Sequence, residues 1–503
     1  MVSQTLTLGF VPGDRPGFST EWALRMRDRC VTALKQIPNV KLVLPNPEFT
    51  SKGLVSNIDQ AAQVADQFKS MAVNRLLLGT MNFGDEEALS EIARKLEPEG
   101  ASVMLFGTHD AVDSEGIRAK SDAFCGTLSA SMNLHMAGVP FIFSGIMDPD
   151  QGQFLDSVKE FIASDPVDVM KEYEEQFGHK YPPPRSSGNH IAQINAAAES
   201  FCNARLGQFG PRASGFVTCA FDERQLMKQF GQRVVPIDLA KVFGRANRLD
   251  DSDEGVNAAL ERISESANTT QVPQAAVMKM AKLYVALRSF IQEHKLAAAG
   301  HNCWTGIQTE YGICGCSVFS LLEDDGIPIT CETDVYGAAT MLLQSCIARA
   351  FDDGTRPHFM DWTIQHPTDP NLFQAWHCGK APPSLFVSKP TIRSHEILLP
   401  LLGEDISHGT LEGEIKPGEV TLCRLVEHDG AFRALVSKGQ IEPSPWKQMR
   451  GSWGWVRMPD LNQLYRILIE KGFSHHVSLI HGDYAQVTAE VCNQLGMEVV
   501  WVD

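Results

Sequence analysis

The sequence predicts an α/β protein that turns β-rich toward its C-terminus. Three observations carry this reading: short apolar runs alternate with helical stretches in the first part, a proline cluster interrupts the chain near residue 181, and the texture changes again near residue 356. The apolar, β-prone runs come at 5–11 (TLTLGFV), 40–45 (VKLVLP), 74–80 (NRLLLGT), 102–108 (SVMLFGT) and 139–145 (VPFIFSG). Helical stretches over 20–36, 57–71, 85–96 and 125–137 separate them. Continuous apolar strands spaced by amphipathic helices are the pattern of a parallel sheet covered on both faces. In such sheets ligands sit beyond the carboxyl ends of the strands. None of the turns carries GxGxxG, so a dinucleotide site has little support.

The segment YPPPRSSG (181–188) breaks regular structure and predicts a boundary. Beyond it the spacing predicts a helix over 189–205, strands at 214–220 (SGFVTCA) and 233–239, helix and solvated loop over 252–270, and a long helix over 274–297. From about 356 the segments are short and alternating, as in EILLPLL (396–402), EVTLCRLVEHDG (419–430) and AFRALVSKGQI (431–441). Short strands at that spacing suggest an antiparallel barrel or a sandwich. The expected domains are 1–180, 181–355 and 356–503. No internal repeat or low-complexity tail is present.

At 503 residues the chain is too long for one core. Its formal net charge of −17 and pI near 5.4 argue against a sequence-independent grip on nucleic acid, which needs a basic surface. No apolar run approaches the roughly 18 residues of a membrane span. The first residues carry no basic stretch leading into an apolar one, so a cytoplasmic protein is expected. The 12 cysteines are spread along the chain and read as reduced thiols.

Chemistry concentrates between His301 and Gly379. Glu332 and Asp334 follow the apolar run GIPIT and precede a helix, where α/β proteins place functional carboxylates. Asp334 is also placed to cap that helix, and Glu332 alone would pass for an ordinary surface carboxylate. Asp361 lies in HFMDWT, among aromatic and apolar residues where an unpaired charge is costly. His377 lies in QAWHCG, and His475 and His476 open the strand-like HHVSLIHG. A lone buried histidine is usually satisfied packing, but two embedded carboxylates with two such histidine sites are harder to explain that way. Carboxylate oxygen with imidazole nitrogen suits Mn²⁺, Mg²⁺ or Co²⁺ with open positions. Cys314 and Cys316 form a CxC beside Cys303 and Cys331. Without CxxC spacing they read as small buried residues, not zinc ligands.

The run CETDVYGA (331–338) resembles the CEVDIYGA-type motif of the L-fucose isomerases, and WTGIQTEYG (304–312) fits the same block. FMDWT resembles the family segment supplying the second metal carboxylate, and AWHCG the histidine segment downstream of it. The His475-His476 pair resembles paired histidines near the C-terminus of L-arabinose isomerases, and the 99-residue interval from His377 favours His476. The resemblance covers most of 300–500, and the first 300 residues only in general architecture. The Gly/Pro-rich stretch after Gly379 is short for a fucose isomerase, so the sugar is not carried over.

What the resemblance implies is a cytoplasmic, metal-dependent aldose–ketose isomerase working on a monosaccharide through a cis-enediol. Its fold would be two N-terminal Rossmann-like α/β domains followed by a C-terminal domain with an antiparallel β-barrel. Glu332 and Asp361 carry over as general base and acid and, with His476, as ligands of a divalent metal, Mn²⁺ first and Co²⁺ or Mg²⁺ next. His377 carries over as a fourth ligand or a substrate hydrogen-bond partner, and Gln308 as a contact to substrate hydroxyls. Arg15, in VPGDRPG, resembles an arginine reaching a neighbouring subunit's site, which implies a homo-oligomer, a trimer or hexamer. Two other readings stay open: a non-catalytic sugar-binding protein, and a metal-dependent sugar epimerase or aldolase.

Overall fold

The computed structural model describes residues 6–111, 121–185, 188–444 and 449–502. Ser186 and Ser187 of the expected boundary, and Thr5 of the first strand-like run, lie outside them. The chain divides into two compact units. The first comprises Met1–Lys180, Trp362–Asn371 and Asp460–His475, the second Tyr181–Asp361, Leu372–Pro459 and His476–Asp503. No helix of the described residues is long and apolar enough to cross a membrane.

The first unit holds five parallel strands, β1 (Thr7–Gly13), β2 (Lys41–Val43), β3 (Arg75–Thr80), β4 (Ser102–Thr108) and β5 (Ile142–Met147), in the order β2-β1-β3-β4-β5. The even positions Leu8 and Phe10 of β1 pack with Met104 and Phe106 of β4 against Met26 and Cys30 of helix Thr20–Leu34 and Phe154 of helix Gly152–Ala163. Gly9, between them, faces the other way: a Cβ there would meet the Phe68 ring of helix Ile58–Ser70 at 2.6 Å. Both faces are therefore covered, which is why these strands read as unbroken apolar runs.

The second unit begins with a smaller parallel sheet of β6 (Arg205–Phe209), β7 (Arg233–Ile237), β8 (Ala298–His301) and β9 (Ile329–Thr330), in the order β7-β6-β8-β9. Nine further strands follow: β10 (His358–Gln365), β11 (Leu372–His377), β12 (Thr391–Ser394), β13 (His408–Glu414), β14 (Gly418–His428), β15 (Ala431–Glu442), β16 (Ser452–Arg457), β17 (His476–His481) and β18 (Glu498–Val502). They form one mixed sheet, ordered β12-β13-β16-β11-β10-β17-β14-β15-β18, with β15 pairing β16 as well. The β13–β16 and β15–β18 pairs are parallel. A core cluster joins helices Ile191–Phe201, Val335–Ala350 and Ala485–Gln494 to the inner residues of β14 and β15.

Three sequence expectations are corrected. The helix expected over 189–205 stops at Phe201, and its tail is the strand β6. The run expected as a strand at 214–220 is a loop with one 3₁₀ turn, Val217–Cys219. Cys202 turns extended, at ψ 150°, and ends the helix before Asn203 takes a left-handed φ of 60°, and Gly215, at φ 78°, breaks the expected strand. The run at 396–402 is the short helix Leu399–Leu402, not a strand. Pro400 sets its first turn, and His395 Nδ1 accepts the Ile397 and Leu398 N–H groups at 3.2 Å each.

Candidate functional site

Glu332 stands in the turn joining β9 to helix Val335–Ala350. Two successive non-glycine residues there are left-handed, Glu332 at φ 53° and Thr333 at φ 61°. L-residues resist that region by roughly 1–2 kcal/mol each, so the surroundings must impose it. Thr333 N donates to His301 O at 3.1 Å, Thr333 Oγ1 to Pro211 O at 3.0 Å, and Glu332 N to Cys303 Sγ at 3.4 Å. Gly300 in β8 lets the turn settle on the sheet, since a Cβ there would lie 2.9 Å from the Thr333 carbonyl carbon. The turn aims a buried carboxylate. Glu332 Oε1 accepts from Cys303 Sγ at 3.6 Å, and Oε2 faces His476 Nε2 at 3.4 Å.

Asp361 and His476 are direct partners in the antiparallel pairing of β10 with β17, which puts both side chains on one face. Asp361 Oδ1 lies 3.7 Å from His476 Nε2. The other imidazole nitrogen is fixed from behind: His476 Nδ1 donates to Asp334 Oδ2 at 2.8 Å. Asp334 caps helix Val335–Ala350 through Gly337 N, as its position predicts, and also takes Arg424 from β14 at 2.5 and 3.2 Å. Arg424 and Asp334 are each 1% exposed in their side chains. Gly337 makes room for this cluster, because a Cβ there would meet Asp334 Oδ2 at 2.8 Å and Arg424 Nη1 at 2.9 Å.

The electrostatics follow from this geometry. Burial drives the Asp334 carboxyl upward, but Arg424 and His476 outweigh it and hold the group well below the usual carboxylate range. Glu332 is likewise lowered against burial, by His476 and His377. Burial opposes charge on His476, yet Cys219, Asp334 and Glu332 raise it well above the ordinary histidine value. Arg424 already balances Asp334, while Glu332 and Asp361 both face this imidazole. A cation between the three groups would meet the same demand.

The donor set fits a divalent ion. Ligands at right angles, each about 2.1 Å from an ion, lie about 3 Å apart, close to the 3.4 and 3.7 Å separations here. His476 gives its Nδ1–H to Asp334 and turns Nε2 to the two carboxylates; with an ion bound in place of the Nε2 proton, Nε2 would be a ligand atom in the carboxylate–histidine arrangement that orients metal ligands. Cys219 Sγ, Asp334 and His476 also converge, as do Cys303, Cys331 and Glu332, each set with donor atoms within 4.8 Å of one another.

The remaining sequence-derived residues fall as follows. His377 ends β11, fully buried, with Cys378 Sγ 3.3 Å from its Nδ1. The Phe359 ring lies between His377 and His476, at 5.7 and 4.5 Å from their centroids. Burial pushes His377 down to about 3, so it is neutral near pH 7. Gln308 gives its Nε2 to Cys303 O at 2.9 Å and to Cys314 Sγ at 3.4 Å, while its buried Oε1 makes no hydrogen bond among the described residues. Arg15 belongs to the first unit, with its guanidinium 5.0 Å over the Phe83 ring. His475 is also in the first unit, where its Nδ1 pairs with Ser129 Oγ at 2.8 Å. His476 Nε2 faces both Glu332 and Asp361, at 3.4 and 3.7 Å. Sequence reasoning missed Arg424, Cys219 and the buried Lys380–Glu323 pair. Arg424 had a visible sign: a charge inside the apolar run VTLCRLV needs a buried partner.

Comparison with known proteins bears on this site. Residues 9–169 match the family model described as fucose/sulfoquinovose isomerase, N-terminal domain, and residues 375–502 match L-fucose isomerase, C-terminal domain. The chain is 23% identical to a sulfoquinovose isomerase of Priestia aryabhattai over 98% of its own length and 99% of the relative's. It is 27% identical to a sulfoquinovose isomerase of Alkalicoccus urumqiensis, over 59% of this chain and 65% of the relative. A sulfoquinovose isomerase of Clostridium sp. (strain MSTE9) is 24% identical over 58% of this chain and 64% of its own length.

Proposed function

We propose a substrate and a mechanism for this chain, which belongs to the fucose isomerase-like superfamily and is, with it, an aldose–ketose isomerase. The substrate is a sulfonated aldohexose of the sulfoquinovose kind, converted to its ketose through a cis-enediol. The relatives' names support the sugar. One observation carries the mechanism: the Glu332 and Asp361 oxygens both turn on His476 Nε2, at 3.4 and 3.7 Å, while Asp334 fixes Nδ1.

In this reading Glu332, Asp361 and His476 hold a divalent ion, Mn²⁺ in preference to Co²⁺ or Mg²⁺. When bound, that ion supplies Lewis-acid polarisation of two neighbouring substrate oxygens. Glu332 takes the proton from C2 and Asp361 serves the oxygens, so that the proton returns at C1. The imposed turn at Glu332 keeps the base aimed before substrate arrives. His377, neutral and buried, is a fourth ligand or a hydrogen-bond partner of the sugar. Gln308 Oε1 is left to accept from a sugar hydroxyl. Pairings that run β16-β11-β10-β17-β14-β15 and back to β16 support reading the C-terminal strands as a barrel. A cytoplasmic trimer or hexamer in which Arg15 serves a neighbouring subunit completes the proposal.

The test is direct. Purified protein stripped with a chelator is expected to lose isomerisation of sulfoquinovose and regain it with Mn²⁺. Glu332→Gln and Asp361→Asn, folded and metal-loaded, are each expected to lose at least about 10³-fold in turnover. The double variant should be little worse than either alone. Exchange of the C2 proton with solvent at the wild-type rate in Glu332→Gln would exclude it as the base.

A further inference from the structure

We infer that Arg212 receives the sulfonate of the substrate, an inference that rests on the sulfonated-sugar reading above. Glu332 is bordered within the second unit by the loops after β6 (210–222), β8 (302–305) and β9 (331–334). Arg212 is the one Lys or Arg that these loops carry. The two buried cations of this region are engaged, Arg424 by Asp334 and Lys380 by Glu323. Arg212 is exposed and makes no hydrogen bond or ion pair among the described residues.

The loop that bears it is held on either side of the arginine. Just before it, Pro211 O accepts from Asn302 Nδ2 at 2.7 Å and from Thr333 Oγ1 at 3.0 Å, which ties position 211 to the residue following Glu332. Just after it, Ala213, Phe216 and Cys219 form a buried cluster with Trp304 against them, the Phe216 and Trp304 rings 5.5 Å apart. Cys219 Sγ then lies 3.8 Å from His476 Nδ1. An uncommitted guanidinium thus stands at the tip of a loop pinned to both Thr333 and His476. The backbone that carries Arg212 is therefore held in place, which lowers the ordering cost left for its exposed side chain to meet a ligand.

Substrate chemistry supplies the reason for it. A sulfonate stays anionic at any working pH, so no proton uptake can reduce its repulsion by Glu332 and Asp361. It has to be met by a cation or by several N–H groups, and the planar fork of arginine matches two of its oxygens. When C1 and C2 lie at Glu332, the extended chain from C2 carries the C6 sulfonate about 6 Å away, at the edge of the site. The side chain of Arg212 spans a similar length from its anchored backbone.

The experiment uses the metal-loaded full chain with sulfoquinovose and with quinovose, the same sugar lacking the sulfonate. Arg212→Met is expected to lose about 10- to 100-fold in kcat/KM for sulfoquinovose and to stay within about twofold of wild type for quinovose. Arg212→Lys should recover only part of the loss, because it restores charge without the fork. Methanesulfonate should compete with sulfoquinovose in the wild type and do so far more weakly in Arg212→Met. A wild-type enzyme that isomerises sulfoquinovose, beside an Arg212→Met that keeps the full sulfonate preference or loses both sugars equally, overturns the role of Arg212 alone. A wild-type enzyme with no activity on sulfoquinovose overturns the substrate reading and this inference with it.

Discussion

Two buried ion pairs lie beside the site, and they are built differently. Arg424 meets Asp334 with two guanidinium nitrogens, and Asp334 also serves His476 Nδ1 and Gly337 N. Its oxygens are spent on donors, and it is held well below the usual carboxylate range despite burial. Lys380 meets Glu323 at one oxygen only, and Glu323 Oε2 makes no hydrogen bond among the described residues. Burial therefore dominates there and pushes Glu323 up to about 7, although Lys380 opposes it. The first pair orients a histidine of the site. The second sets its ammonium 5.5 Å from the Phe359 ring and reaches His377 by its charge, which helps to lower that imidazole. A forked cation with a fully used carboxylate makes a rigid support; a point charge with a half-used carboxylate makes a group free to change its protonation.

The largest test of this contrast removes each cation. Arg424→Met strands a carboxylate that the site keeps charged, and loss of one partner of a buried pair typically costs about 3–5 kcal/mol. Lys380→Met should cost less, about 1–3 kcal/mol, because Glu323 can take up a proton near neutrality instead of staying charged. Urea unfolding of both variants at pH 7 measures the difference. Equal losses would erase the distinction.

A smaller effect separates the pairs by function. Asp334→Asn keeps the shape and the helix cap but weakens the hold on His476 Nδ1. Disturbing such an outer partner typically costs about 10- to 100-fold in metal affinity. Glu323→Gln should leave Mn²⁺ affinity nearly unchanged, since Glu323 pairs with Lys380 and holds no imidazole nitrogen in the way Asp334 does. Free Mn²⁺ counted by its spin resonance during titration reads both variants. Unchanged affinity in Asp334→Asn would reduce Asp334 to a cap.

That dual role also marks how far the sequence could be read. β3 and β4 are visible because both faces are covered and every residue is buried. β6 is not, because RLGQF follows an alanine-rich helix and carries Arg, Gly and Gln, so nothing local says that the helix has ended. Glu332 and Asp361 were legible from motif and setting, and Asp334 was legible as a cap, since a cap is made with residues three apart. Its bonds to Arg424 and His476 span 90 and 142 residues. No local pattern encodes them. They exist because β14 and β17 lie side by side in the sheet, a pairing written in long-range packing.

The contrast is sharpened last by the pH dependence of Glu323. Its folded value of about 7 stands above the ordinary glutamate value of 4.5, so the folded chain holds this proton more tightly than the unfolded chain. The sign follows by linkage: the stabilisation is fully present below about pH 4.5 and is lost as pH rises through about 7. At roughly 1.4 kcal/mol for each pH unit separating the two values, the difference is bounded at about 3.5 kcal/mol. Glu323→Gln replaces the carboxyl with a neutral group of the same shape. Its unfolding free energy should lack the fall that the wild type shows between about pH 4.5 and 7, and the two curves should run parallel outside that window. Asp334→Asn should do the opposite. Asp334 is lowered in the fold, so the wild type gains from it above the ordinary aspartate value and loses that gain only as the solution becomes strongly acidic. Identical pH profiles for wild type and Glu323→Gln would mean that Lys380 keeps Glu323 ionised throughout, and that the two pairs are equally rigid supports.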